Sequence, residues 1–150
     1  MKYRLSALSA MLLAAPAAAQ TCEGAHAAGT TRLVVTTTNL RNARGEVAVT
    51  VYPDDRRRFL ASGGKLARVR ARAIAPVTRA CFWLKPGYYA VAVYHDENAD
   101  RDFNRTLFAP KEGYGFSNDA PATFALPSFK ATRFALAPGG SEIRVRTRYP

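Results

Sequence analysis

Pro86-Gly87-Tyr88-Tyr89-Ala90-Val91-Ala92-Val93-Tyr94-His95-Asp96-Glu97-Asn98 is the stretch on which the fold turns: a tight turn, an apolar run and an acidic loop follow one another without a gap. Proline presets φ for the first corner of a turn and glycine accepts a positive φ for the second, so the chain should reverse at Pro86-Gly87. The seven residues after it are β-branched, aromatic or small, which predicts a strand. Its odd positions (Tyr89, Val91, Val93) and even positions (Tyr88, Ala90, Ala92, Tyr94) are both apolar, so neither side is built for water. The strand should lie in the middle of a sheet, with an opposing sheet beneath it and a later segment above it.

Before this strand the chain breaks into short β runs. Arg32 to Leu40 is rich in valine and threonine, Arg41 to Gly45 is a turn, and in Glu46 to Tyr52 the residues Val47, Val49 and Val51 share one face, so the two runs should form a hairpin. Lys65 to Ile74 alternates Ala67, Val69, Ala71 and Ala73 inward with Arg68, Arg70 and Arg72 outward. Val77 to Leu84 turns Ala80, Phe82 and Leu84 to the core and Arg79, Cys81 and Trp83 away. A long loop, Glu97 to Pro121, separates these from three further runs: Ala122 to Leu126, Thr132 to Ala137 and Glu142 to Tyr149. No stretch sustains an apolar period of 3.6. Seven or eight short strands with Pro and Gly at the joints predict an all-β chain, a single antiparallel β-sandwich of immunoglobulin-like or transthyretin-like kind over residues 32–150.

Residues 1–19 stand outside this domain. Lys2 and Arg4 make a basic head, Leu5 to Pro16 an apolar run, and Ala17-Ala18-Ala19 a small-residue cleavage site, the pattern of a signal peptide. A periplasmic or secreted, bacterial-type address follows, and residues 20–31 then form an unstructured arm. In an oxidising compartment Cys22 and Cys81 read as one disulfide, worth roughly 3–4 kcal/mol by restriction of the unfolded chain. A metal site of Cys22, His26 and His95 is the competing use of the cysteines.

The full chain holds 22 Lys+Arg against 11 Asp+Glu. Such an excess favours anionic partners. Arg68, Arg70 and Arg72 on one strand and Arg144, Arg146 and Arg148 on another make two basic ladders, suited to an anionic envelope glycan or lipid. The export signal and the lack of a nucleic-acid module disfavour nucleic acid.

The text from Tyr89 to Asn98, followed after a gap by Pro110-Lys111-Glu112-Gly113-Tyr114-Gly115-Phe116-Ser117-Asn118, closely resembles the signature of a family of secreted bacterial proteins, domain of unknown function 2141. The resemblance runs from about Leu33 to Tyr149. It implies an exported β-sandwich and brings no activity. Where the family has glycine-rich, Asn-Gly-Lys-like text after the Asp-Glu-Asn, this chain reads Ala99-Asp100-Arg101-Asp102-Phe103-Asn104.

Three stretches could carry chemistry. Asp96, Asn98, Asp100, Asp102 and Asn104 recur at every second residue, a spacing that can wrap oxygens around a hard cation such as calcium. Against this, the glycine expected at the sixth position is Arg101, the twelfth position is Leu107, and Glu112 could serve only if the loop doubles back. The other reading is that these side chains cap turns. Tyr114 and Phe116, alternating with two glycines, form either a lid over the Tyr88 and Tyr94 face or, with His95, a ligand platform. The segment His95-Asp96-Glu97, with Glu112 and Ser117 downstream, could serve a small hydrolase or metal-dependent enzyme, though no Gly-x-Ser-x-Gly elbow supports a nucleophile and the order of residues sets no geometry. The leading expectation is a non-enzymatic binding or accessory module of the periplasm or cell envelope.

Overall fold

A computed structural model describes residues 21–107, 109–122 and 126–150. The expected signal peptide therefore lies outside the described residues, as does most of the run expected from Ala122 to Leu126. The chain is an all-β sandwich of two sheets. Its strands are β1 (Thr31–Thr38), β2 (Glu46–Pro53), β3 (Ala67–Arg72), β4 (Val77–Leu84), β5 (Gly87–Asp96), β6 (Gly113–Phe116), β7 (Phe134–Leu136) and β8 (Ser141–Arg146). One short helix, α1 (Phe129–Thr132), begins where the Ser128 side chain accepts a hydrogen bond from Ala131 N at 3.2 Å.

One sheet runs β4-β1-β8 and the other β3-β2-β5-β6, with β7 added beside β5. β2 and β5 pair over eight residues, from Glu46 opposite Asp96 to Pro53 opposite Tyr89. On its other side β5 pairs first with β7, then with β6, so it is hydrogen-bonded along both edges. The apolar run of β5 thus occupies the interior position its composition required. Two expectations about pairing are corrected. β1 and β2 form no hairpin, because the turn between them carries the chain from one sheet to the other, where β1 pairs with β4 and β2 with β3 and β5. β1 and β8 lie parallel, with Val35 opposite Ile143 and Thr37 opposite Val145.

Leu33, Val35, Phe82 and Val145 from the first sheet meet Val47, Val49, Val51, Val91 and Val93 from the second in the core. All but Val93 are fully shielded from solvent. β2 buries its other face as well, since Ala48, Thr50 and Tyr52 are also shielded. That face is covered by rings. Phe59, from the segment after β2, lies 5.4 Å from Tyr52, 6.3 Å from Phe116 and 5.8 Å from Phe129, and Phe103 lies 5.4 Å from Tyr94. Shelter fails at one end: Tyr88 is 48% exposed, with the Arg133 guanidinium over its ring.

The lid expected of Tyr114 and Phe116 is a strand. β6 extends the sheet sideways, with Tyr114 opposite Tyr94 and Phe116 opposite Ala92, so its rings lie beside β5 rather than over it. Its glycines face the other way, against the C-terminal segment. A Cβ on Gly113 would come within 2.3 Å of the Tyr149 ring, and one on Gly115 within 2.4 Å of Arg146 O. That close approach lets residues 147–149 join the two sheets: Thr147 N donates to Thr38 O at 2.9 Å, and Tyr114 and Arg148 exchange a pair of backbone hydrogen bonds.

The arm is less free than its composition suggests. Cys22 and Cys81 form a disulfide. Glu23 adds to the open edge of β4, donating from N to Cys81 O and accepting from Trp83 N, and His26 stacks on Trp83 at 4.1 Å. The expected alternative of a metal site from Cys22, His26 and His95 is not formed: Cys22 is spent in the disulfide, His26 stacks on Trp83 of β4, and His95 is paired to Tyr149 and Arg44 on β5 of the other sheet. Among the described residues no helix is long and apolar enough to cross a membrane.

Candidate functional site

β2 starts and β5 ends at the same margin of the sheet, so Glu46 and Asp96 stand opposite each other there. Arg70 of β3 reaches the same place. It lies in one row with Ala48, Tyr94 and Tyr114, and the single methyl of Ala48 leaves room for its side chain to pass over β2. Its guanidinium donates to Asp96 Oδ2 at 3.2 Å, to Tyr94 Oη at 2.7 Å and to Arg101 O at 2.8 Å, and stands 3.8 Å from Glu46 Oε2.

The loop after β5 brings more negative charge to this spot. Asp96, Asp100 and Glu112 each place a carboxylate oxygen within 4.8 Å of the others. Asp96 is fully buried and Glu112 nearly so, while Asp100 is exposed. The loop doubles back as a site including Glu112 required: Asn104 N donates to Glu112 Oε2 at 3.0 Å, and Lys111 N to Asn104 O at 2.9 Å. Asp96 Oδ2 also accepts from Arg101 N at 2.8 Å. Asp96 Oδ1 is buried and has no hydrogen-bond partner among the described residues. A buried carboxylate oxygen left without a donor is costly, and here two more carboxylates stand beside it.

The electrostatics follow from this crowding. Burial, and then the charges of Asp96 and Asp100, hold the Glu112 carboxyl above its ordinary range, opposed by the Asn104 N–H. Asp100 goes the other way. Its carboxyl is lowered by N–H donors, first the Asn104 side chain, then Asp102 N and the Asn98 side chain. Asn98 Nδ2 and Asn104 Nδ2 each lie 2.7 Å from Asp100 Oδ2, and Asp102 N lies 2.9 Å from Oδ1. Of the five residues that the alternating spacing singled out, Asp96 and Asp100 thus enter the carboxylate cluster. Asn98, Asp102 and Asn104 orient Asp100 through N–H groups instead. Arg70, assigned by its pattern to an anion, is bound to Asp96.

The backbone supplies the missing glycines. Ala99 and Arg101 take φ of 56° and 69°, the left-handed conformation that glycine adopts without strain. This turn aims Arg101 N at Asp96.

His95 is fully buried on the opposite, core-facing side of β5. Its Nε2 lies 2.7 Å from Arg44 O, an acceptor only, so Nε2 donates there, and Nδ1 pairs with Tyr149 Oη at 2.7 Å. Both nitrogens are spent inside the protein, and neither reaches a ligand beside Phe116, itself only 4% exposed. Glu97 is clamped by the Arg41 and Asn42 side chains. Ser117 Oγ accepts from Val91 N and donates to Thr132 O in the interior, away from His95. The geometry brings no nucleophile, base and orienting acid together from these residues.

The two arginine ladders lie on different sheets, β3 in one and β8 in the other, so their like charges do not meet. Arg68 donates to Thr50 Oγ1 at 2.7 Å, while Arg72 is exposed. Arg144 and Arg146 are exposed on the outer side of β8, but Arg148 bends back to Asp119 O and Ala120 O.

A model of a bacterial family, described as an uncharacterized protein conserved in bacteria, domain of unknown function 2141, matches residues 35–144. No curated protein and no solved structure matches the chain.

Proposed function

Because the chain belongs to this family of domain of unknown function 2141, whose membership brings no activity, we propose a function from geometry: an exported, non-enzymatic β-sandwich module that binds calcium between Asp96, Asp100 and Glu112. The ion sets the shape of the loop between β5 and β6. The observation that carries this reading is Asp96 Oδ1, buried without a donor in a cluster of three carboxylates. One guanidinium, Arg70, serves both Asp96 and Glu46 there. Calcium takes oxygen ligands from carboxylates, backbone carbonyls and water, and it is a hard cation that would relieve the excess charge. Export is supported by the leader-like text of residues 1–19 and by the disulfide, which suits an oxidising compartment. A binding role rather than hydrolysis is supported by the internal hydrogen bonds of His95 and Ser117.

The test is a calcium titration of the mature protein, followed by thermal unfolding and by calorimetry. A ligand that binds only the native state at a hundredfold excess over its Kd adds about 2.7 kcal/mol, which for a domain of this size raises Tm by roughly 5–10 °C. Asp96→Asn and Glu112→Gln should each abolish the shift. A wild-type protein whose Tm and heat signal ignore millimolar calcium would overturn the proposal.

A further inference from the structure

The outer face of the sheet β4-β1-β8 carries charge of the sign opposite to that of the carboxylate cluster. Leu33 and Val35 of β1, Ala80 and Phe82 of β4, and Ile143 and Val145 of β8 pack into the core. Arg32, Arg79, Arg144 and Arg146 alternate with them, so they point outward, and all four are exposed. Register brings them together: Arg144 and Arg79 flank Thr36 on its two sides, Arg146 stands one step along beside Thr38, and Arg32 lies opposite Trp83. Glu142, the one acid in these three strands, accepts from Thr36 Oγ1 at 2.8 Å and lies 4.0 Å from Arg79 Nε, so side chains of all three strands share this surface. Among the described residues the guanidinium groups of Arg32, Arg144 and Arg146 have no hydrogen-bond or carboxylate partner. Beside Arg32 the face opens into a depression of about 240 Å³, walled by Arg32 and Val34 on one side and by residues 139–142 on the other.

Three unpaired guanidinium groups on an open sheet face attract a polyanion. None of the large exposed apolar side chains among the described residues belongs to β1, β4 or β8, so the face has nothing to insert into a bilayer. Its outward aromatic ring, Trp83, already has His26 stacked on it, which takes the platform a nucleic-acid base needs. We propose that this face binds an acidic polysaccharide, with carboxylates of the polymer meeting Arg144, Arg146 and Arg32 and one sugar ring seated in the depression beside Arg32. The planar guanidinium fork matches a carboxylate in geometry as well as in charge. The carboxylate cluster lies at the margin of the other sheet, so this binding is independent of the proposed calcium site.

Binding of the mature protein to immobilised alginate, a polyuronate, tests it, in calcium-free buffer at about 0.15 M NaCl, where charges act over about 8 Å. Wild type should be retained there and pass through neutral dextran. Arg144→Ser with Arg146→Ser should weaken binding about tenfold, since each exposed ion pair contributes up to about fivefold. Arg56→Ser with Arg57→Ser removes the same charge from exposed positions after β2 and should leave binding within about twofold. Glu142→Gln takes the acid off the face while keeping an oxygen for Thr36, and should tighten binding about threefold, a gain that loss of folding cannot mimic. Wild type that is not retained, an equal loss in the two double variants, or no gain in Glu142→Gln would each overturn the proposal. Tighter binding to single-stranded DNA than to alginate, lost in Arg144→Ser with Arg146→Ser, would assign the face to nucleic acid instead.

Discussion

Ala99 and Arg101 hold the left-handed backbone that turns the loop back towards Asp96, and neither has the freedom of glycine. A side chain in that region costs about 1–2 kcal/mol, of which part is returned because glycine also loosens the unfolded chain. Ala99→Gly should therefore stabilise the protein by about 0.5–1 kcal/mol, read from urea unfolding. Gly115 presents the opposite case, because any Cβ there meets Arg146 O. Gly115→Ala should cost about 1–3 kcal/mol in the same assay, the usual toll of overpacking. The alternation of acids in the loop pointed to Asp96 and Asp100. It could not reveal that Arg70, twenty-six positions earlier, passes over Ala48 to reach Asp96, because that contact exists only once three strands are in register. Arg101 looked like a defect of the cation loop for a similar reason: residue type reports preference, and the fold has imposed the conformation regardless.

The turn between β1 and β2 is fastened to the end of β5 by Glu97, which accepts from the Arg41 and Asn42 side chains. The Arg41 hydrogen bond, with help from Asn42, lowers the Glu97 carboxyl from its ordinary 4.5 to about 2. Folding thus favours the ionised form. The contribution is complete above the unfolded value near 4.5 and disappears as pH falls towards about 2. Stability measured across this interval should drop less steeply in Glu97→Gln than in wild type. β1 to β5 were legible because their valines alternate or run together on a clear period. β6 was not. Two of its four residues are glycines, which weaken a strand despite the two rings beside them, and what makes them a strand is the C-terminal segment packed against those glycines and the open edge of β5. The arginine ladders were visible as a pattern, yet whether a guanidinium faces solvent or a neighbouring acid depended on which strand lay alongside.

The assembled sandwich depends on connections between distant parts of the chain. Reducing Cys22–Cys81 frees an arm that also lines the edge of β4 through Glu23. On the loop-restriction argument reduction should lower stability by roughly 3–4 kcal/mol, checked by unfolding with and without a thiol reductant. Two layers and a buried β5 were legible in the apolar faces, whereas the parallel seating of β8 on β1 was not, since strand composition does not encode direction. That seating has a consequence for how the protein is made. Because β1 lies between β4 and β8, and the last residues stitch the two layers together, the first strand emerging from a ribosome waits for the final one before its sheet is complete. A version stopped at Gly140 should therefore remain open to protease where the complete one resists.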